Sequence, residues 1–118
     1  MTREEESALV RATFRIFQNW KIDAAQACRI LGVEDPDGLA RLQAGASEGH
    51  PADMVDRMAL ILTIHTSLRI WFRDPERSYG WMRRPNLTFD NLPPIQLIET
   101  EAGARRLKAY LDASIEAG

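Results

Sequence analysis

The chain has 118 residues, 45% of them hydrophobic and 27% charged, and a formal net charge of -2. That suits one domain with its own core, excludes a disordered chain, and leaves the molecule as a whole with no strong pull toward nucleic acid or an anionic membrane. A single cysteine, Cys28, excludes an intramolecular disulfide and any zinc site that needs several thiolates.

The opening "MTREEESALV" is polar and acidic, with no apolar segment of the kind a secretory signal requires. No apolar run approaches the roughly 20 residues that span a bilayer. A cytoplasmic protein without membrane attachment is therefore expected, and the "NLT" at 86–88 reads as a chance glycosylation match.

In chain order, apolar residues at Leu9, Val10, Thr13, Phe14, Ile16, Phe17 and Trp20 recur at threes and fours, which predicts a helix over 3–20 with one buried stripe. Asp23 is suited to cap a second helix, "AAQACRIL", that stops at Gly32. "EDPDGLARLQAG" predicts a third, with Pro36 in its first turn and Gly45 as its stop. From about Pro51 to Phe72 a long helix is apolar over most of its circumference, as expected of a central element. "DPERSYGWMRRPN" then gives about two helical turns between the Asp74 cap and Pro85. "LPPIQLIE" starts a short helix with Pro94 in its first turn, and Thr100 caps a last helix on which Leu107, Tyr110, Leu111 and Ile115 share a face. No segment alternates as a half-buried strand does. The expected fold is all-α, a compact multi-helix domain with a helix-turn-helix-like part over 1–50 and a second part over 51–118 that holds the long helix and the short C-terminal helices.

Charge is distributed unevenly. Residues 20–49 carry three cations against five acids, whereas 66–85 carry Arg69, Arg73, Arg77, Arg83 and Arg84 against Asp74 and Glu76, a local net of +3. Arginine presents a planar fork to carboxylates and phosphates, and arginine with tryptophan is the composition of interface hot spots.

Residues 23–45 have the outline of a helix-turn-helix, with Val33 in the turn and Leu39 and Leu42 on a core-facing side. A DNA-reading second helix needs basic or amide side chains near its N-terminus. Here that stretch is Glu34, Asp35, Pro36 and Asp37, leaving only Arg41 and Gln43 to contact operator DNA. The other reading is a structural relic or an oligomerisation surface.

From Tyr79 onward, "YGWMRRPNLTFDNLPPIQLIETEAGARRLKAYLDASIEAG" resembles the toxin-binding domain of bacterial Xre/MbcA/ParS-type antitoxins. The shared features are Trp81 in a helix that ends at Pro85-Asn86, Pro94 ahead of Leu97-Ile98, the acidic-Gly start Glu101-Ala102-Gly103, and the tail Leu107, Leu111, Ile115, Gly118. The resemblance covers the last forty or so residues well and 23–45 more loosely. One departure is that "TFDN" stands where the family usually has a small residue or glycine in the spacer.

This resemblance implies a type II antitoxin that is not an enzyme and uses no cofactor or small-molecule substrate. Its partner would be a RES-type toxin that consumes NAD, whose active-site cleft the antitoxin blocks with its C-terminal segment at the entrance. It also implies a homodimer within a larger complex that represses its own operon. Trp81, Arg83, Arg84, Asn86, Arg105, Arg106, Ser114 and Gly118 are the expected toxin-binding residues, and Arg41 and Gln43 the expected DNA contacts. Trp81 is open between an exposed anchor and a core residue packed on the long helix. The runner-up is a stand-alone helix-turn-helix regulator.

Other residues read as structural. His50 and His65 have no cysteine or carboxylate at ligand spacing, so no metal site is expected. His65 reads as a semi-core residue and Cys28 as a small buried hydrophobe. Ser67 and Ser78 lack an activating His–Asp pair. Glu4, Glu5 and Glu6 form an acidic first turn that favours the helix dipole.

Overall fold

The computed structural model describes residues 2–45 and 50–117. Seven α-helices appear among the described residues, and no strand: α1 (Arg3–Asn19), α2 (Ala24–Leu31), α3 (Pro36–Gln43), α4 (Ala52–Trp71), α5 (Pro75–Arg83), α6 (Pro94–Leu97) and α7 (Glu101–Ala117). The all-α expectation holds. The chain divides into two compact units, Met1–Leu62 and Thr63–Gly118, with the division inside α4.

In the first unit, α1 opens on a capping box. Glu5 N–H donates to the Thr2 hydroxyl, and the Thr2 N–H donates to the Glu5 carboxylate, each at 3.1 Å. All seven residues of the expected stripe, Leu9 through Trp20, are buried. Thr13 fits that stripe because its hydroxyl donates to the Leu9 carbonyl at 2.8 Å and so is not stranded. Lys21, in the left-handed region at φ 57, turns the chain toward α2.

Asp23 accepts the Gln26 N–H at 2.8 Å at the start of α2, and Asp35 accepts the Gly38 N–H at 2.7 Å at the start of α3. At the other end of α2, Gly32 adopts φ 72, a conformation glycine takes without steric cost, and Val33 N–H reaches back to the Cys28 carbonyl. Arg57 donates to the Ile30 carbonyl at 3.3 Å, placing a cation on the orphan acceptors of that terminus. α3 packs on both α1 and α2. Cys28, Ile30, Leu31, Leu39 and Leu42 are buried, and so are Met58, Leu60 and Ile61 of α4.

The second unit begins with Ile64, Ser67 and Leu68 buried on α4. Asp74 caps α5 by accepting the Glu76 N–H at 3.0 Å. The buried Ser78 donates to the Pro75 carbonyl at 2.8 Å. α5 stops at Arg84, whose extended backbone (φ -90, ψ 141) is what a following proline imposes. α6 packs against both α5 and α7.

Thr100 caps α7 as expected, accepting the Gly103 N–H at 3.0 Å. Gly103 is required by close approach: a Cβ there would collide with the Leu97 carbonyl oxygen and lie 2.9 Å from the Thr100 hydroxyl. Leu107 and Leu111 are fully buried, while Tyr110 and Ile115 are half-buried. On the same helix Asp112 accepts the Ser67 hydroxyl at 2.9 Å and is paired with Lys108. Those two hydrogen bonds hold its carboxyl below the ordinary value.

Candidate functional site: an aromatic cluster and a clasped loop

Helix periodicity brings four aromatic side chains together in the second unit. Trp71 ends α4 and Phe72 follows it, Trp81 sits in the last turn of α5, and Tyr110 lies midway along α7. Trp71 and Trp81 meet edge to face at 5.2 Å, and Trp71 meets Tyr110 edge to face at 6.1 Å. Trp81 and Tyr110 stack within 7° of parallel at 6.2 Å. All four are only half-buried, unlike Phe89, which is buried beneath Tyr110 at 5.2 Å. The cluster therefore presents a partly exposed aromatic surface. Trp81 takes neither extreme of its two sequence readings, being packed on the end of the long helix and still in part exposed.

Arginines surround this surface in sequence. Arg69, Arg73, Arg77, Arg83 and Arg84 are all exposed. Arg77 and Trp81 follow the four-residue spacing that puts side chains on one face of α5. The Arg84 guanidinium folds back beside Gly80, where an added Cβ would lie 3.1 Å from its Nη2.

Beyond Pro85 the chain makes a tight loop over 86–92. The Asn86 N–H donates to the Leu92 carbonyl at 3.2 Å, and the Asn86 carbonyl accepts from Phe89 at 3.0 Å and Asn91 at 2.9 Å. Its side chain accepts the Thr88 N–H at 3.0 Å. Asp90 and Asn91 both lie in the left-handed region, at φ 57 and 65. These fall in the "TFDN" stretch that departs from the family spacer. Asp and Asn are the non-glycine residues that best tolerate that conformation, so they can do the work of a glycine here.

The loop is clasped from α7. Arg106 donates to the Thr88 carbonyl at 2.8 Å, stands 3.7 Å from the Asp90 carboxylate, and lies over the Phe89 ring at 5.2 Å. Leu87, within this anchored loop, is 88% exposed.

The expected site residues are thus distributed as follows. Trp81 joins the aromatic cluster, Arg83 and Arg84 are exposed at the end of α5, and Asn86 shapes the loop. Arg105 pairs with Glu101 at 3.1 Å on its own helix, and Ser114 donates to the Tyr110 carbonyl at 2.8 Å. Gly118 lies outside the described residues. Arg41 and Gln43 are exposed on α3 in the first unit. Sequence reasoning did not single out the half-exposed Trp71, Phe72 and Tyr110 or the exposed Leu87. The available signal was the helical spacing of the aromatics and the Pro-Asn start of the loop.

Residues 67–116, which include all of this cluster and loop, match the model of the Xre/MbcA/ParS antitoxin C-terminal toxin-binding domain. Over these residues the chain belongs to that antitoxin family. It is also similar to the uncharacterised protein y4oB of Sinorhizobium fredii (strain NBRC 101917 / NGR234), 34% identical over 108 residues, which cover 90% of this chain and 83% of that relative. An antitoxin role in a toxin–antitoxin pair follows from membership, and with it a toxin as partner. The family domain is a protein-binding one, consistent with a regulatory rather than a chemical task. No helix among the described residues is long and apolar enough to cross a membrane.

Proposed function

We propose that this antitoxin binds a RES-type, NAD-consuming toxin and blocks its active-site cleft, acting by binding and not by catalysis. The observation that carries the reading is the half-exposed Trp71–Phe72–Trp81–Tyr110 cluster with exposed arginines on α5, set within the toxin-binding domain at 67–116. Large aromatics and arginine dominate binding energy at protein interfaces. We assign toxin binding to the 51–118 part, through Trp81, Arg83, Arg84, Asn86, Arg105, Arg106, Ser114 and Gly118. Operator contact, through Arg41 and Gln43, falls to the 1–50 part of a homodimer within the toxin complex. Exposed Glu34, Asp35 and Asp37 at the start of α3 oppose phosphate and lower the affinity of that operator contact.

The test is co-expression in a host that lacks both genes. The proposed RES-type toxin partner should deplete cellular NAD when expressed alone and leave NAD intact when the chain is present. Failure of the chain to restore NAD, with nuclease-sensitive operator DNA recovered on it in place of a protein, would establish the stand-alone regulator.

A further inference from the structure

Among the described residues the large hydrophobic side chains that stand exposed are Ile70, Leu87 and Leu92, and all three fall within 67–116. A single exposed leucine is ordinary on a protein surface. Leu87 differs in its setting. It is 88% exposed, yet its loop is fixed by the Asn86–Leu92 bridge, by two adjacent left-handed residues, and by Arg106 reaching from α7, 18 residues away in sequence. Asp90 and Asn91 tolerate left-handed backbone without glycine's freedom, so the turn holds one shape. None of this order serves to bury Leu87. A rigid apolar tip presented to solvent loses little conformational freedom on docking.

We propose that Leu87 is an apolar anchor that inserts into an apolar recess of the toxin, and that Arg106 is a positioning residue that holds the anchor's loop in its docking conformation. The occupant is assigned from continuity, since the loop belongs to the toxin-binding domain and follows Arg83 and Arg84 directly in the chain. The inference deepens the toxin-binding reading and rests on it. Arg106 changes role accordingly: its guanidinium is engaged with Thr88, Asp90 and Phe89, so its contribution to binding passes through the loop.

The experiment is a double-mutant cycle on the full chain, with the RES-type toxin proposed as its partner as the titrated probe. Leu87→Ser should weaken toxin affinity at least about tenfold, with helicity and thermal midpoint unchanged because the side chain is exposed. Arg106→Ala should weaken it also, and the double variant should be no weaker than Leu87→Ser, because Arg106 acts through Leu87. Full affinity in Leu87→Ser overturns the anchor. Additive losses overturn the positioning role of Arg106. If Leu87→Ser instead converts a dimer of the free chain to monomer and leaves toxin affinity intact, the occupant is a second copy and the proposal is wrong. Absence of binding by the wild-type chain removes the toxin-binding reading itself, a result distinct from all of these.

Discussion

Trp81 and Tyr110 lie within 7° of parallel, 6.2 Å apart, one in the last turn of α5 and the other midway along α7. Each also touches Trp71 edge to face, so three helices meet through one shared ring system. Such pairs contribute about 0.5–1.5 kcal/mol beyond their buried area. Because Trp81 is only half-buried, Trp81→Ala should cost less than the roughly 3–5 kcal/mol of a fully buried aromatic, on the order of 2 kcal/mol. Trp81→Phe should recover much of that. Urea unfolding of the three proteins checks the ordering, and an Ala variant as stable as wild type would mean that the ring is not part of the fold's support.

Gly103 is a case in which two known effects oppose each other. In an open helix, glycine to alanine gains about 1 kcal/mol. Here the new methyl meets the Leu97 carbonyl oxygen, which is backbone, and the Thr100 hydroxyl that caps the helix. Overpacking of this kind costs about 1–3 kcal/mol, so Gly103→Ala should destabilise overall. Thermal unfolding decides it, and a rise in midpoint would show that α6 moves aside freely.

These two sites mark the boundary between what local sequence rules determine and what tertiary packing adds. The seven helices, their aspartate and threonine caps and the α1 stripe were legible because local rules set them: hydrophobic spacing, short polar caps, proline in a first turn. Gly103 was visible as a motif, but its reason, the carbonyl of the preceding helix, is a tertiary fact. The degree of burial of Trp81 depends on Trp71 and Tyr110, residues far away in sequence, so periodicity left it open. The clasp of Arg106 on the 86–92 loop is of the same kind. Its local signal was Asp90-Asn91, residues that tolerate left-handed backbone, and nothing local pointed to an arginine on the last helix.

Stability should fall on the acid side in two separable limbs. Burial, and then the Arg69 cation, hold the His65 imidazole below its ordinary 6.5. A lowered folded value means that the unfolded chain takes up the proton first, so stability is complete above 6.5 and falls as pH drops through it, levelling off below the folded value. Asp112, held below its ordinary 3.8 by Lys108 and Ser67, adds a second loss as pH falls under 3.8. Denaturant unfolding at stepped pH reads both. His65→Gln should flatten the upper limb and Ser67→Ala shrink the lower one; an upper limb unchanged in His65→Gln assigns it to another group.

Arg83 and Arg84 are exposed at the end of α5, so reversing their charge should leave the fold intact and act on encounter with the toxin. Rim charges chiefly set association rate and its salt dependence. Arg83→Glu/Arg84→Glu should therefore slow association with the toxin about tenfold at low salt, with a smaller effect on dissociation. The difference should narrow as ionic strength rises past about 0.1 M, where the Debye length is roughly 10 Å. Stopped-flow association at two salt concentrations is the measurement. A slowing that persists at high salt would mean that the guanidinia are buried against the toxin as direct contacts. Equal rates at low salt would place the interface elsewhere on the 67–116 domain, and the aromatic cluster would then have to hold the toxin without electrostatic help from α5.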